Sequence, residues 1–293
     1  MSFSHSSLSA QVKSYLTFLP EEIRQKILEH LHGVIHYEPV IGIMGKSGTG
    51  KSSLCNAIFS PISAPRIPER LHPPAHHLTL QIGERRMTLV DLPGIGETPQ
   101  HDQEYRALYH QLLPELDLII WILRADERAY AADIAMHQFL LNEGADPSRF
   151  LFVLSHADRV FPAEEWNDTE KCPSRQQELS LATVTARVAT LFPSSFPVLP
   201  VAAPVGWNLP ALVSLMIHAL PPQATSAVYS HIRGENRSEQ ARKHAQQTFG
   251  DAIGKSFDDA VARFSFPAWM LQLLRKARAR IIHLLVTLWD HLF

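Results

Sequence analysis

The chain has 293 residues and a formal net charge of −2, so its overall charge gives no general attraction to nucleic acid. This length suggests one large or two modest domains, and the 45% of apolar residues suffice for a core. Two cysteines, Cys55 and Cys172, are too few for a disulfide framework. No signal peptide and no apolar run of the roughly 18 residues needed to cross a bilayer are visible. We therefore expect a cytoplasmic protein.

The first predicted element is an amphipathic helix that begins at Pro20. Two acidic residues, Glu21 and Glu22, stand in its first turn, where they complement the helix dipole. Its apolar residues share one face, and they are Ile23, Ile27 and Leu31. We assign residues 1–38 to an N-terminal helical segment and expect this helix to pack on the domain that follows.

A glycine-rich motif follows a predicted buried strand at residues 39–44 and precedes a predicted helix at residues 52–59. The motif has the pattern G-x-x-x-x-G-K-S, in which glycines let backbone NH groups surround a phosphate chain and a lysine adds positive charge. The strand before it and the helix after it are the context that this pattern requires. The sequence therefore predicts a nucleotide-binding P-loop, formed by Gly45, Lys46, Ser47, Gly48, Thr49, Gly50, Lys51, Ser52 and Ser53.

A second motif, D-x-x-G, ends the next apolar strand and runs from Asp91 to Gly94. Alone it is a common turn, but after a P-loop its acid can reach Mg²⁺ through a water while Ser52 coordinates the metal directly. The backbone NH of Gly94 can approach a γ-phosphate. We predict Ser52 and Asp91 as metal-binding residues, and Lys51 and Gly94 as catalytic ones.

Together these motifs resemble the G1 and G3 motifs of the Era-like, translation-factor-related GTPases, and the resemblance covers residues 39 to about 220. The whole chain resembles a group of predicted bacterial and prophage GTPases with a short helical C-terminal extension. The resemblance implies an α/β fold: a doubly wound P-loop GTPase sheet with helices on both faces. We expect a G domain at 39–221, with helices near 102–112, 127–143, 174–191 and 209–220.

The base-reading motif of that family, N-K-x-D, corresponds to the segment from Ser155 to Asp158 at the end of a predicted strand. Asp158 keeps two acceptors for guanine N1–H and the exocyclic amine, a pattern that adenine does not satisfy. A simple strand-end turn is the alternative. Ser155 can form only part of the network made by the family's asparagine, and His156 could stack on the base in place of the lysine. We expect guanine preference with weakened affinity.

The last motif of the family, S-A-x, corresponds to Ala202 and Ala203, after a predicted strand at residues 196–201. By resemblance, the backbone NH of Ala203 would contact guanine O6, and Ala202 lacks the serine hydroxyl that braces the loop. Read alone, Ala-Ala-Pro is typical of an ordinary loop.

Two positions bear on hydrolysis. Ile95 stands where Ras-type GTPases have the glutamine that orients the attacking water, as is usual in the Era-like branch, so intrinsic hydrolysis should be slow. Gly48 stands where many Era relatives have an asparagine that helps to bind an activating K⁺, and the loop is similar to those of septin-like and immunity-related GTPases. Potassium activation is therefore not predicted.

The segment expected to form switch I contains no serine or threonine from Ala64 to Leu78, and Thr79 opens a predicted strand. The hydroxyl that normally caps Mg²⁺ has no obvious equivalent. A solvated Pro/His-rich loop is the favoured interpretation. A zinc site is the less favoured alternative, and its three histidines would be His72, His76 and His77.

The C-terminal part, residues 222–293, is predicted to be a helical extension with ten Lys/Arg and six Asp/Glu. Residues 266–293 mix basic residues with Leu and Trp. This pattern fits a helix that binds anionic lipid or a protein partner, and equally a helix that packs on the protein's own core. RNA or ribosome binding is implied by family resemblance alone.

These features predict a guanine-nucleotide-binding protein with slow, Mg²⁺-dependent GTP hydrolysis. The alternative is a nucleotide-dependent interaction protein with little or no turnover, which acts through its C-terminal helices on a membrane, RNA, ribosome or protein partner and is peripheral to a membrane in the first case. An ATPase is disfavoured by Asp158.

Overall fold

The computed structural model describes residues 5–60, 76–82, 85–92 and 108–293. Its strands are β1 (Val40–Met44), β2 (His76–Ile82), β3 (Arg85–Asp91), β4 (Leu118–Arg124), β5 (Phe150–Ser155) and β6 (Leu199–Pro200). Its helices are α1 (His5–Ser14), α2 (Glu21–Ile35), α3 (Lys51–Ile58), α4 (Ala131–Asn142), α5 (Arg175–Leu191), α6 (Leu209–Ala219), α7 (Pro222–His231), α8 (Glu239–Val261), α9 (Ala268–Thr287) and α10 (Trp289–Leu292).

The chain forms two compact units. One contains Met1–Tyr37, Pro221–Ser230 and Glu239–Phe293, and the other contains Glu38–Leu220 and His231–Ser238. The N-terminal segment and most of the C-terminal part thus belong to the same unit, although they lie at opposite ends of the sequence.

The second unit is built on a six-stranded sheet with the order β2-β3-β1-β4-β5-β6. β2 and β3 pair antiparallel, whereas β3, β1, β4, β5 and β6 run parallel. All six residues of β5 are buried, as expected for a central parallel strand covered on both faces. Trp121 of β4 is buried and stacks on Phe152, with Phe150, Phe192 and His137 around it. The predicted α/β fold is confirmed, with helices around the sheet.

The predicted elements of this unit differ from the observed ones mainly at their ends. The predicted helix at 127–143 begins later, at Ala131, and of the helix predicted at 102–112 the described part, residues 108–112, is helical. The last strand was predicted over 196–201 and is shorter, Leu199–Pro200. Proline has no NH for the ladder, which explains why Pro197 and Pro200 restrict this edge strand. β2 begins at His76, earlier than the strand predicted from Thr79.

The first unit is helical. α2 packs against α8, and its residues Ile27, Leu31 and Ile35 are buried. The hydroxyl of Ser256 on α8 donates to the carbonyl of His30 over 2.9 Å. The amphipathic pattern of α2 correctly predicts a helix with a buried face, but the packing partner is α8 of the same helical unit, whereas the sequence suggested the domain that follows.

α9 packs on α8, and one apolar face of α9 is buried, formed by Leu274, Ala277, Ile281 and Leu285. A Cβ at Gly250 would come within 3.1 Å of Val286, so the glycine permits close approach of the two helices. For this face of α9, the interpretation that the helix packs on the protein's own core therefore holds. At the start of α9, Trp269 remains 60% exposed. Within the described part of the chain, we find no helix with the length and apolarity needed to cross a membrane.

Candidate functional site

The parallel strands bring the sequence motifs to one edge of the sheet. β1 leads into the P-loop, and its Ile43 is in register with Asp91 at the end of β3. In the same way, Arg124 at the end of β4 is in register with Ser155 at the end of β5. Because the carboxyl ends of parallel strands share an edge, residues distant in sequence become neighbours there, which is where ligands bind in open α/β sheets.

Three glycines give the P-loop its path. Gly45, Gly48 and Gly50 have φ values of 142°, 78° and 87°, which side chains rarely allow. A Cβ on Gly45 would also lie 2.4 Å from the carbonyl oxygen of Ile122. The loop ends at the N-terminus of α3, so its backbone NH groups and the helix dipole can favour an anion. Ser47 and Gly48 are exposed at the rim.

Lys51 lies across the P-loop. Its ammonium donates to the carbonyl of Gly45 over 2.8 Å, and it lies 3.8 Å from Oδ1 of Asp91. The Lys51 side chain is 20% exposed and that of Asp91 is 48% exposed, so both are open to a ligand. The structure thus brings together the predicted phosphate-binding lysine and the predicted metal-binding acid.

The residues around Lys51 fit a magnesium ion. Ser52 and Ser53 are exposed in the first turn of α3, and Asp91 supplies carboxylate oxygens. In the described ranges, no group of three His, Cys, Asp or Glu residues could hold a metal by itself. Mg²⁺ commonly takes one or two protein oxygens and completes its octahedron with waters and substrate phosphates, so this sparse donor set suits it.

Lys46, also predicted to bind nucleotide, directs its ammonium away from the loop. The ammonium lies 2.9 Å from Oε1 of Glu127, 3.1 Å from Oδ2 of Asp133 and 2.7 Å from the carbonyl of Ala129. Burial by itself lowers the pKa of Lys46, but hydrogen bonds and charges from Glu127 and Asp133 outweigh it, and the pKa is raised. Thr49 is buried, and its hydroxyl donates to the carbonyl of Lys46 over 2.9 Å.

Ser155 connects the predicted base-reading segment to the P-loop. Its buried hydroxyl donates to the carbonyl of Thr49 over 2.7 Å, and it lies 3.1 Å from the carbonyl of Leu123 and 3.0 Å from Nδ1 of His156. A serine in place of asparagine therefore still joins the two loops.

His156 packs against Gly50, the P-loop residue that follows Thr49. Its ring carbon Cε1 lies 3.2 Å from the position that a Cβ on Gly50 would take. Burial, followed by the positive charges of Arg124 and Arg159, lowers the pKa of His156. The imidazole is consequently neutral near pH 7, and the edge of its ring that carries Nδ1 and Cε1 lies beside Gly50.

Asp158 lies in a single 3-10 turn, Ala157–Arg159. Its Oδ1 atom is buried and has no hydrogen-bond partner among the residues that the structure describes. Its Oδ2 atom lies 3.9 Å from Nε of Arg159. A buried carboxylate oxygen without a donor costs free energy, which a ligand NH group would recover.

The loop with Ala202 and Ala203 borders this turn. The NH of Ala157 donates to the carbonyl of Val201 over 3.1 Å. Ala202 exchanges two backbone hydrogen bonds with Trp207, and the turn Ala203–Val205 lies against α3. The structure therefore brings the segments predicted to read the base together beside the P-loop helix.

Some predicted site residues fall outside the described part of the chain. Gly94 is one of them, as are Ile95 and His72. For His76 only the backbone is described, and it lies opposite Asp91 in the β2–β3 register.

Sequence reasoning missed the residues at the end of β4 and after it. Arg124 donates from Nη1 to the carbonyl of Gly48 over 3.3 Å, and Asp133 pairs with Lys46. The only signal in the sequence was the position of Arg124 at the end of an apolar strand that lies next to β1 in the sheet.

Known proteins resemble parts of this chain or nearly all of it. A family model described as "50S ribosome-binding GTPase" matches residues 40–156. Among solved structures, the chain resembles the G domain of the T. maritima FeoB iron transporter with 13% sequence identity and a TM-score of 0.42, over 62% of this chain and 99% of that one.

Two relatives from Escherichia coli K12 match almost the whole chain. Uncharacterized protein YfjP is 36% identical over 96% of this chain and 97% of its own length. Uncharacterized protein YkfA is 34% identical over 95% of this chain and 96% of its own length. The chain therefore belongs to a family of P-loop GTPases that includes bacterial proteins of the YfjP and YkfA type.

Proposed function

We propose that this protein binds GDP and GTP selectively and hydrolyses GTP slowly in a Mg²⁺-dependent reaction, as a member of the Era-like branch in the cytoplasm. The observation that carries the proposal is the buried, unpartnered Oδ1 of Asp158, which lies next to a segment that Ser155 joins to the P-loop. Guanine N1–H and its exocyclic amine are donors that suit this carboxylate, whereas adenine presents an acceptor at N1.

The other residues have roles that follow from their positions. Lys51 and the amides of residues 45–50 would hold the β- and γ-phosphates, and Ser52 and Asp91 would hold Mg²⁺. Bound Mg²⁺ neutralises charge that develops on the phosphates. Gly94 would sense the γ-phosphate, and the backbone NH of Ala203 would contact guanine O6.

Slow hydrolysis follows from the residue at position 95. Ile95 has no polar group with which to orient an attacking water. The water would be positioned by backbone groups or by a partner, and a partner that supplies such a group can accelerate hydrolysis by orders of magnitude.

A second candidate function is nucleotide-dependent interaction with little or no turnover. It is favoured by Trp269, which is 60% exposed at the start of α9, in a segment with the exposed basic residues Arg275, Lys276 and Arg280. The partner would be a membrane surface or a protein that binds residues 266–293. A ribosome is a further candidate because the matching family is described as ribosome-binding.

Single-turnover hydrolysis of γ-labelled GTP distinguishes the two functions. We expect slow, Mg²⁺-dependent phosphate release from GTP, less from ATP, and none above background with Lys51→Ala. Parallel reactions with anionic vesicles or ribosomes test for activation. If GTP binds but is not hydrolysed under any of these conditions, the interaction function is favoured; if GTP does not bind, both candidates fail.

A further inference from the structure

Residues 124–133, here called the brace segment, contact the P-loop at two points that nucleotide recognition alone does not require. One contact is made by the side chain of Lys46, and the other by the side chain of Arg124. The two contacts lie on either side of Ser47, at the exposed rim of the loop.

The first contact has a buried anchor. Asp133 is 5% exposed, its Oδ1 accepts from the indole NH of buried Trp121 over 3.2 Å, and its Oδ2 lies 3.1 Å from the ammonium of Lys46. Glu127 adds a second carboxylate at 2.9 Å from this ammonium. Moving Lys46 towards a phosphate would leave the buried carboxylate of Asp133 without its counter-charge, which is costly.

The second contact is oriented by an ion pair. Arg124 binds Asp126 through two hydrogen bonds, Nε to Oδ1 at 2.9 Å and Nη2 to Oδ2 at 2.6 Å, which leaves Nη1 directed at the carbonyl of Gly48. The hydroxyl of Tyr130 lies 2.9 Å from the carbonyls of both Arg124 and Glu127, so it fixes the backbone of the brace segment.

These contacts offset the flexibility of the loop. Gly45, Gly48 and Gly50 have positive φ, and because glycine tolerates more backbone conformations than other residues, a loop that contains them can adopt several. A ligand that selects one of them binds more weakly in proportion to its population, so contacts that hold the binding conformation raise affinity without touching the ligand.

We propose that Lys46 and Arg124 are positioning residues, which hold the P-loop in its phosphate-binding conformation by anchoring it to the brace segment through Asp133, Glu127 and Asp126. This inference rests on the proposed function for the identity of the ligand. In this role the Lys46 ammonium holds the loop in place and does not bind the phosphates.

The test combines Lys46→Ala, Arg124→Ala and Asp133→Asn with two measurements. The first is amide hydrogen exchange in the nucleotide-free protein, where we expect faster exchange in residues 45–50 and little change in α5. The second is affinity for GDP and for a non-hydrolysable GTP analogue, where we expect about tenfold weaker binding of both, equal within about twofold. Arg128→Ala, at an exposed position in the same segment, is the matched control and should leave both unchanged.

The pair Lys46 and Asp133 is tested further by the double variant. If they act together, combining Lys46→Ala with Asp133→Asn adds little to either single change. Arg124→Ala changes neither residue of this pair, so it remains informative even if a variant of the pair does not fold.

Two results would overturn the proposal. Binding of the GTP analogue that weakens far more than binding of GDP would make Lys46 a direct γ-phosphate ligand. Unchanged exchange in residues 45–50 for both Lys46→Ala and Arg124→Ala would show that the contacts do not position the loop. Because the exchange measurement needs no nucleotide, it tests the brace even if the wild-type protein binds none.

Discussion

The hydroxyl of Ser155 donates to the carbonyl of Thr49 over 2.7 Å and thereby joins the end of β5 to the P-loop. Ser155 is 4% exposed, so this hydrogen bond is shielded from water. The bond fixes the distance between the segment that would read a base and the loop that would bind phosphates. A nucleotide that bridges the two therefore meets a preformed site.

Replacing Ser155 by alanine should weaken this connection. The carbonyl of Thr49 would lose its donor, at a cost of about 1–3 kcal/mol for a buried polar group. We expect lower stability in urea unfolding and weaker binding of GDP and GTP alike. Thr183→Ala, which removes an exposed hydroxyl on α5, is the control. Unchanged nucleotide affinity in Ser155→Ala would show that the connection has no role in binding.

Gly45→Ala should disrupt the P-loop more than a substitution at another glycine with positive φ. A Cβ at Gly45 would lie 2.4 Å from the carbonyl oxygen of Ile122, so the backbone must move. Gly144 has φ 93° but open space around it, so Gly144→Ala carries only conformational strain, about 1 kcal/mol. Urea denaturation and nucleotide titration measure both variants. Equal losses of stability and binding in the two variants would contradict the predicted clash.

His137 should make the protein sensitive to acid. Burial among aromatic rings lowers the pKa of His137 from its ordinary value of 6.5, because the imidazolium form is disfavoured there. The unfolded chain therefore takes up a proton at a higher pH than the folded one. This contribution to stability is complete above pH 6.5 and is lost as the pH falls through the folded-state pKa.

Urea unfolding between pH 7.5 and 5.5 measures this effect. We expect His137→Leu to lose less stability on acidification than the wild-type protein, whatever its stability at pH 7.5. His283→Gln, at an exposed position on α9, should behave like the wild type. An acid-dependent loss that is the same in His137→Leu and the wild type would refute the assignment.

The two cysteines should differ in reactivity. Burial, and then the charge of Asp91, raise the pKa of Cys55 to about 12, so almost no thiolate is present at neutral pH. Both side chains are partly exposed, and burial and then the charge of Glu170 also raise the pKa of Cys172, but by less than the pKa of Cys55 is raised. Native alkylation followed by mass spectrometry should modify Cys172 first. Equal rates in the native protein, with both cysteines modified after denaturation, would contradict this.

The sheet was predictable because its central strands are nearly continuous apolar runs. β4 and β5 are buried along their length, and the polar residues that end them, Arg124 and Ser155, mark the functional edge. The P-loop was predictable because its glycines are needed for backbone geometry, which leaves a fixed spacing in the sequence.

The contacts that organise the site were not predictable in the same way. Lys46 and Asp133 are 87 positions apart and belong to no spacing pattern, so only the fold reveals their pairing. The same holds for α2, whose amphipathic pattern predicts a helix but not its partner α8. The sequence predicts that Ser155 makes only part of the asparagine's network. Its hydroxyl lies within hydrogen-bond distance of three groups, the carbonyls of Thr49 and Leu123 and Nδ1 of His156.

We infer that Asp158 selects guanine, and competition binding with Asp158→Asn tests this inference. An amide in place of the carboxylate loses an acceptor for the exocyclic amine of guanine and gains a donor suited to the carbonyl that xanthine carries there. We predict that the wild-type protein binds GDP well above ADP and XDP, and that Asp158→Asn loses at least tenfold in GDP affinity while its preference shifts towards XDP. Equal binding of GDP and ADP by the wild type, or unchanged selectivity in the variant, would show that Asp158 does not select guanine.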